Sequence, residues 1–266
     1  MEMETKTLTN KNQLSLNYDI VKTLIKSTNL SEKELFDKLK FYGFNNFLIN
    51  YNDAVSSEVR SKILSSGMAV SSVFYEGNLQ NKGDYFKELE IIDFCYYNKV
   101  KKLALLINLP KENQPFLEYL FNVKQNLRSI VKYAKTFGVK VSVLNNLTKT
   151  PFCDLSFYKD LLKSVKGLKM TFNAPTFYLT AQNPIECYNA LKDYVLDVCV
   201  FDASFLNESE FKYTALGNGN TDVLNFVRYA IDDGYNGEFF VSRCPQDCAL
   251  EFLRESSINF YVSKED

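Results

Sequence analysis

The residues best suited to chemistry are polar side chains at or just after short apolar runs. Two carboxylates, Glu76 and Asp202, and one thiol, Cys199, are the candidate general acids, general bases or nucleophiles. Neutral side chains outnumber them, and amides bind hydroxyl and carbonyl groups without exchanging protons near neutral pH. The set therefore favours binding over proton transfer. The candidate ligand-binding residues are Asn108, Asn145, Asn173, Ser242 and Arg243.

Histidine, the commonest acid/base group and metal ligand at neutral pH, is absent from all 266 residues. Cys244 and Cys248 lie four residues apart, but neither a second cysteine pair nor a histidine completes a zinc site. We interpret them as two ordinary thiols near a helix start, and we predict no metal and no cofactor. The other cysteines are scattered, as expected of reduced thiols in a cytosol: Cys95, Cys153, Cys187 and Cys199.

Eight short apolar runs, rich in Val, Ile, Leu and Phe, alternate with amphipathic helical patterns. They alternate little between apolar and polar, which is typical of parallel strands buried on both faces. Ser31 and Glu34 form a capping-box sequence, Gly43 ends that helix, and a long helix is predicted over Pro115–Phe137. The predicted strands are Leu14–Asn17, Phe44–Asn50, Met68–Phe74, Lys102–Ile107, Val139–Leu144, Leu168–Phe172, Leu196–Phe201 and Glu238–Ser242.

Eight strand–helix units predict an α/β fold, a single (β/α)8 TIM barrel over residues 13–266, with residues 1–12 as a flexible leader. A doubly wound open sheet is the alternative, but no glycine-rich nucleotide fingerprint follows any strand. A barrel gathers the carboxyl ends of its strands at one face, where active sites lie. The polar residues at those predicted ends are Asn50, Tyr51, Tyr75, Glu76, Asn108, Asn145, Asn146, Asn173, Cys199, Asp202, Ser242 and Arg243.

Several segments resemble the xylose-isomerase-like TIM barrels, which include sugar-phosphate isomerases and epimerases. Residues 215–222, Ala-Leu-Gly-Asn-Gly-Asn-Thr-Asp, resemble that family's Leu-Gly-x-Gly-x-x-Asp loop before the last helix. Gly234-Tyr235-Asn236-Gly237 and a strand follow, as in the family. Residues 40–47, 134–141 and 198–202 resemble its Gly-Phe-Asp-Gly-Ile-Glu element, its passage into the fifth strand and its His-x-x-Asp strand end. The resemblance runs from about Ser31 to Arg243.

Active members of that family hold a divalent metal with Glu, Asp, His and Glu from four strand ends. The resemblance carries these positions to Leu144, Asn173, Cys199 and Ser242. Hard divalent cations need charged oxygen ligands, and no carboxylate lies within two residues of Leu144, Asn173 or Ser242. The resemblance therefore implies a barrel without the family's metal site. The zinc cluster of the abasic-site endonuclease branch, which needs several histidines, is excluded in the same way.

Three functions stay open. The leading hypothesis is a sugar-phosphate isomerase/epimerase-like barrel that has lost metal catalysis and binds a small sugar or polyol at its mouth. The second is a metal-independent isomerase or epimerase in which Glu76 and either Asp202 or Cys199 move protons. The third is a non-catalytic interaction or regulatory protein whose mouth is filled by Leu144, Phe177 and Tyr178.

Each candidate also has a structural interpretation. Asp202 is a cap or loop partner, Glu76 a solvated carboxylate, Cys199 a buried inert thiol and Arg243 half of a salt bridge. Lys212, a weaker cationic candidate, is a solvated surface lysine. Gly217 and Gly219 serve turn geometry, with a phosphate cradle as the alternative.

Composition limits the partners. The 31 basic and 32 acidic residues give a net charge of −1 without a basic stripe, so nucleic acid is not expected. No apolar run is long enough for a membrane span or a signal peptide, which predicts a cytoplasmic protein without a membrane partner. A small sugar-type ligand is the expected partner, and the sequence leaves the oligomeric state open.

Overall fold

A computed structural model describes residues 14–145, 154–207 and 210–263; the predicted leader lies outside them. Eight parallel strands close into a barrel, each hydrogen-bonded to the next along the chain, and the last pairs with the first. The predicted TIM barrel is therefore confirmed. Its strands are β1 Leu14–Asn17, β2 Asn46–Asn50, β3 Ala69–Gly77, β4 Lys102–Ile107, β5 Lys140–Leu144, β6 Lys169–Asn173, β7 Val195–Val200 and β10 Phe239–Val241.

Helices cover the outside of the barrel. The Ser31 side chain and Glu34 form the predicted capping box at the start of α2, and Gly43, with φ +90°, follows its end. Among the described residues, no helix combines the length and apolarity needed to cross a bilayer. The helices are α1 Tyr18–Ser27, α2 Glu32–Phe41, α3 Tyr51–Ala54, α4 Ser57–Ser65, α5 Phe86–Tyr97, α6 Phe116–Thr136, α7 Leu155–Ser164, α8 Ala174–Leu179, α9 Pro184–Leu191, α10 Val223–Asp232 and α11 Leu250–Ser263, with a 3₁₀ turn at Lys192–Tyr194.

A two-stranded antiparallel hairpin follows β7, formed by β8 Asp202–Phe205 and β9 Phe211–Thr214. The eight predicted strands do not include this hairpin, because both of its strands are short and interleave polar with apolar residues. The hairpin begins immediately beyond the barrel, so it stands beside the carboxyl ends of the strands. It also positions Asp202, as described below.

Apolar side chains fill two separate spaces. The larger core lies between the strands and the helices, and a smaller cluster lies in the lumen, as alternation along barrel strands requires. The lumen cluster divides the interior into a floor, at the amino ends of the strands, and a mouth, at their carboxyl ends. Its members are Leu48, Ala104, Cys199 and Phe240, with Phe74 and Leu144 packed against them.

The floor holds a partly buried charge cluster of Lys102, Asp197 and Glu238. The Lys102 Nζ lies 2.6 Å from Asp197 Oδ1 and 2.9 Å from Glu238 Oε2. Asn46 Nδ2 donates to Glu238 Oε1 at 2.7 Å. Burial raises the pKa of Asp197 to about 6, against the lowering effect of Lys102. This floor cluster was not predicted, because barrel closure brings together residues from distant parts of the chain.

Candidate active site

The mouth is the candidate site, and a reciprocal pair of asparagines lies at the ends of β5 and β6. Asn145 Nδ2 donates to the Asn173 carbonyl oxygen at 2.9 Å, and the Asn173 N–H donates to Asn145 Oδ1 at 2.7 Å. Both residues are buried. The Asn145 side chain thus extends the pairing of β5 with β6 from just beyond the end of β5 to Asn173, the last residue of β6. These two hydrogen bonds occupy the side-chain amide of Asn145 and hold the backbone of Asn173 in place.

Asn173 and Asn108 each keep one unsatisfied acceptor. Asn173 lies in register with Cys199, so its side chain is on the lumen side of β6. Asn108 is one residue beyond β4 and continues the alternate series that contains the lumen residue Ala104. Asn108 Oδ1 and Asn173 Oδ1 are buried without a hydrogen-bond partner among the described residues. A buried acceptor of this kind is costly unless a donor, such as a hydroxyl, reaches it.

Asp202, predicted as a catalytic candidate, is 1% exposed and has both carboxylate oxygens occupied. Oδ1 accepts from the Ala203 N–H at 2.8 Å and from the Thr221 N–H at 3.1 Å and hydroxyl at 2.7 Å. Oδ2 accepts from the N–H groups of Gly217, at 2.9 Å, and Gly219, at 3.0 Å. Five donors therefore surround this carboxylate, which corresponds to the loop-partner interpretation.

Gly217 and Gly219, in the loop before α10, let the backbone come close to the Asp202 carboxylate. A Cβ on Gly219 would lie 2.2 Å from Asp202 Oδ1, so only glycine allows the approach. Gly217 has φ +86°, in the left-handed region. The amides that a phosphate cradle would direct at a ligand are directed here at the protein's own Asp202. The Leu-Gly-x-Gly pattern in the sequence indicates this glycine loop, but the pattern does not show that the loop binds Asp202.

Cys199 lies at the centre of the lumen cluster and is 1% exposed. Burial raises the pKa of its thiol to about 12, Asp197 raises it further, and Arg243 opposes the shift. The thiol is therefore protonated at neutral pH, and no nucleophilic thiolate is available at this position.

Three predicted residues are solvent-facing. Glu76 is exposed near the end of β3, two residues after the lumen residue Phe74. Arg243 is exposed, and it makes no salt bridge with another residue of 14–145, 154–207 and 210–263. Lys212 is an exposed residue of β9. Asn146 lies outside the described residues.

The residues at the four family metal positions do not fit a divalent cation. Leu144 packs against the lumen cluster, Cys199 is a buried member of that cluster, and the Ser242 hydroxyl donates to the Val200 carbonyl oxygen at 3.3 Å. Asn173 offers one neutral oxygen. In the part of the chain that the structure describes, no three Cys, Asp or Glu side chains form a group that could hold a metal ion.

The residues expected to fill a closed mouth do not lie together. Phe177 is fully buried and packs on Phe172, with ring centroids 5.1 Å apart, in the core outside the barrel. Tyr178 stacks on Phe205 of the hairpin, with centroids 6.3 Å apart. Of the three, only Leu144 packs against the lumen cluster.

No protein-family model matches the sequence, and no curated protein matches it. Solved structures match over nearly the whole chain. A xylose isomerase domain protein from Alicyclobacillus acidocaldarius has 12% identity and a TM-score of 0.71, covering 95% of this chain and 98% of that one. An IolI protein with a bound zinc atom has 12% identity and a TM-score of 0.75, with coverages of 95% and 98%. The 3-keto-D-glucoside 4-epimerase of E. coli has 14% identity and a TM-score of 0.71, with coverages of 95% and 100%. These likenesses show that the chain has the xylose-isomerase-like TIM-barrel fold.

Proposed function

We propose that this xylose-isomerase-like barrel binds a small polyhydroxylated ligand, of sugar or polyol type, at its mouth and without a divalent metal. The observation that carries the proposal is the pair of unsatisfied acceptors, Asn108 Oδ1 and Asn173 Oδ1. Sugar hydroxyls are donors of the kind that these oxygens lack. The epimerase among the structural neighbours makes a sugar ligand plausible by analogy of fold.

Metal-assisted isomerisation does not fit these residues. It needs carboxylates that hold the cation, and the four positions offer Leu144, Asn173, Cys199 and Ser242 instead. One unpartnered amide oxygen cannot replace three negative charges around a hard cation. The ligand is therefore held by hydrogen bonds to neutral groups, with Glu76 and Arg243 as the exposed charges at the rim.

Metal-independent proton transfer has little support from the geometry. It requires two groups that can gain and lose protons on either side of a substrate carbon. The Asp202 carboxylate is saturated by five donors, and the Cys199 thiol has a pKa of about 12. Glu76 alone cannot supply both groups. Asp202 is better explained as a positioning residue that holds the loop before α10.

Binding is tested by calorimetry on the full chain with a panel of ketoses, aldoses, polyols and their phosphates. We expect at least one of them to bind in the presence of EDTA. Asn173→Ala should weaken binding about fivefold, since one hydrogen bond to a buried acceptor is worth roughly 1 kcal/mol. Asn236→Ala, an exposed asparagine before β10, is the matched control and should leave affinity unchanged.

Two results would contradict the proposal. One is the absence of binding across the whole panel. The other is binding that EDTA abolishes and Mn²⁺ restores, which would mean that a metal holds the ligand.

A cytoplasmic location is part of the same proposal, because the described cysteines are free thiols suited to a reducing compartment.

A further inference from the structure

The charge of this chain is unevenly distributed. Residues 119–169 contain ten lysines and arginines against two aspartates, whereas the whole chain has 31 basic and 32 acidic residues. The described part of this stretch forms most of α6, the strand β5, the helix α7 and the start of β6. Such an asymmetry is typical of a surface that meets an anionic partner.

Five of these cations line one groove on the outside of the barrel, which we call the basic groove. It lies between α6, the end of α7 and the start of β5, and its volume is about 740 Å³. That volume is within the range of small-molecule sites, about 300–1,000 Å³. Of the described residues that line it, none is acidic. Its cationic residues are Arg128, Lys132, Lys135, Lys140 and Lys166.

The helix α6 places three of the cations in a row. Arg128, Lys132 and Lys135 are spaced i, i+4 and i+7, so they share one face of the helix over about 10 Å of its axis. Arg128 also reaches the end of α7, where its Nη2 donates to the Ser164 carbonyl oxygen at 3.1 Å. The remaining cations come from the start of β5 and from just beyond α7. Three elements therefore contribute positive charge to one groove.

The cations of the basic groove have no carboxylate partner in the described part of the chain. All five side chains are exposed, and none forms a salt bridge with residues 14–145, 154–207 or 210–263. The dipole of α6 accounts for Lys135, in its last turn, but not for Arg128 and Lys132, which lie earlier in the helix. Like charges at this spacing repel each other. A bound anion would relieve that repulsion.

We propose that the basic groove binds a small anion that carries two or more adjacent phosphate groups. Cations spread over about 10 Å match negative charge on more than one phosphate, and the Arg128 guanidinium suits bidentate contact with phosphate oxygens. No described residue that lines the groove is aromatic, whereas proteins that hold single-stranded nucleic acid stack its bases on aromatic rings. The groove lies near the amino ends of β5 and β6, at the opposite end of the barrel from the proposed sugar site.

Calorimetry of the full chain with inorganic tripolyphosphate at low ionic strength tests the proposal. We expect saturable binding to a single site, with an affinity that falls as NaCl is added, because salt screens exposed charges. Orthophosphate should bind about tenfold more weakly, since it forgoes at least one charge-assisted hydrogen bond. Asn173→Ala, at the mouth, should bind tripolyphosphate as the unaltered chain does.

Two double variants with the same net charge show whether the groove is the site. Arg128→Gln with Lys132→Gln should weaken tripolyphosphate binding by about tenfold or more, because each lost cation removes a charge-assisted contact with phosphate. Lys38→Gln with Arg228→Gln removes exposed cations of α2 and α10 and should leave the affinity unchanged. Thermal unfolding without ligand verifies that both variants fold.

Phosphatidylcholine vesicles with and without phosphatidylinositol bisphosphate identify the source of the phosphates. Cosedimentation that needs the bisphosphate lipid, and that Arg128→Gln with Lys132→Gln abolishes, would make the ligand a lipid headgroup. Binding of tripolyphosphate without any cosedimentation would make it a soluble phosphate compound. Both results support the same chemistry in the groove.

Three results would overturn the proposal. One is the absence of tripolyphosphate binding at low ionic strength, and another is equal weakening in the two double variants. The third is tighter binding of an oligothymidylate than of tripolyphosphate, which would make the groove a nucleic-acid surface. None of these results bears on sugar binding at the mouth.

Discussion

The two ends of the barrel lumen differ in charge. The floor pairs Lys102 with two acidic side chains at 2.6 and 2.9 Å, and the mouth presents the neutral groups of Asn108, Asn173 and Ser242. In a fold whose active sites lie at the carboxyl ends of the strands, charge at the opposite end contributes to stability rather than chemistry. This barrel therefore has partly buried charge at the floor, where it links β4 to β7, and uncharged residue types at the four mouth positions that correspond to the family's metal ligands.

The largest effect is expected from breaking the floor cluster. Lys102→Met removes the cation and leaves Asp197 and Glu238 without it, which should lower the free energy of unfolding by about 4 kcal/mol. Lys192→Met, which breaks a surface pair with Asp233, is the control and should cost less than about 1 kcal/mol. Urea unfolding measures both. If both variants lost the same free energy of unfolding, the floor cluster would stabilise the fold no more than a surface ion pair does.

The floor should also make stability depend on pH. Asp197 has a folded pKa of about 6 against 3.8 for the free side chain, so between these values the folded state holds more protons than the unfolded state. The contribution is therefore complete below about pH 4 and is lost as pH rises through 6. It amounts to about 3 kcal/mol, from roughly two pKa units.

Denaturant unfolding from pH 4 to 7 checks this prediction. Asp197→Asn should flatten the pH dependence in that window, since the amide does not titrate. Asp233→Asn, in a surface pair, should follow the unaltered chain. An unchanged slope in Asp197→Asn would assign the pH dependence to other groups.

The smallest effect on stability is expected at the mouth. Asn173→Ala removes an acceptor that has no partner, so the free energy of unfolding should change by less than about 1 kcal/mol. Its backbone N–H can still donate to Asn145 Oδ1. If Asn173→Ala lowered the free energy of unfolding as much as Lys102→Met, the asparagine would stabilise the barrel and would not be a free ligand-binding group. Thermal and urea unfolding decide between the two.

The barrel could be predicted from the sequence because each strand is a local apolar run bounded by turn signals. Leu14–Asn17 and Lys102–Ile107 were predicted with the bounds observed. The floor cluster could not, since Lys102 reaches partners 95 and 136 residues away in the chain, which only barrel closure brings near. The hairpin was missed because its strands have four residues each and carry no continuous apolar run.

At the mouth, the sequence predicted which residue types meet but not which of their atoms are free. Asn145 and Asn173 were equal candidates for ligand binding. In the structure, however, the side-chain amide of Asn145 is hydrogen-bonded to the backbone of Asn173. Asp202 was a candidate acid, and its five donors come from a loop 15 to 19 residues later and from its own neighbour. Hydrogen bonds of this kind depend on side-chain directions that residue spacing does not encode.

Metal titration tests the central claim most directly. The full chain is stripped with EDTA, incubated separately with Mn²⁺, Mg²⁺ and Zn²⁺, desalted and analysed for bound metal, beside Asn173→Ala and Cys244→Ser. The neutral mouth predicts far less than one ion per chain in every case and no difference between the unaltered chain and Asn173→Ala. One ion per chain that Asn173→Ala loses and Cys244→Ser retains would place a metal at the mouth and contradict the account.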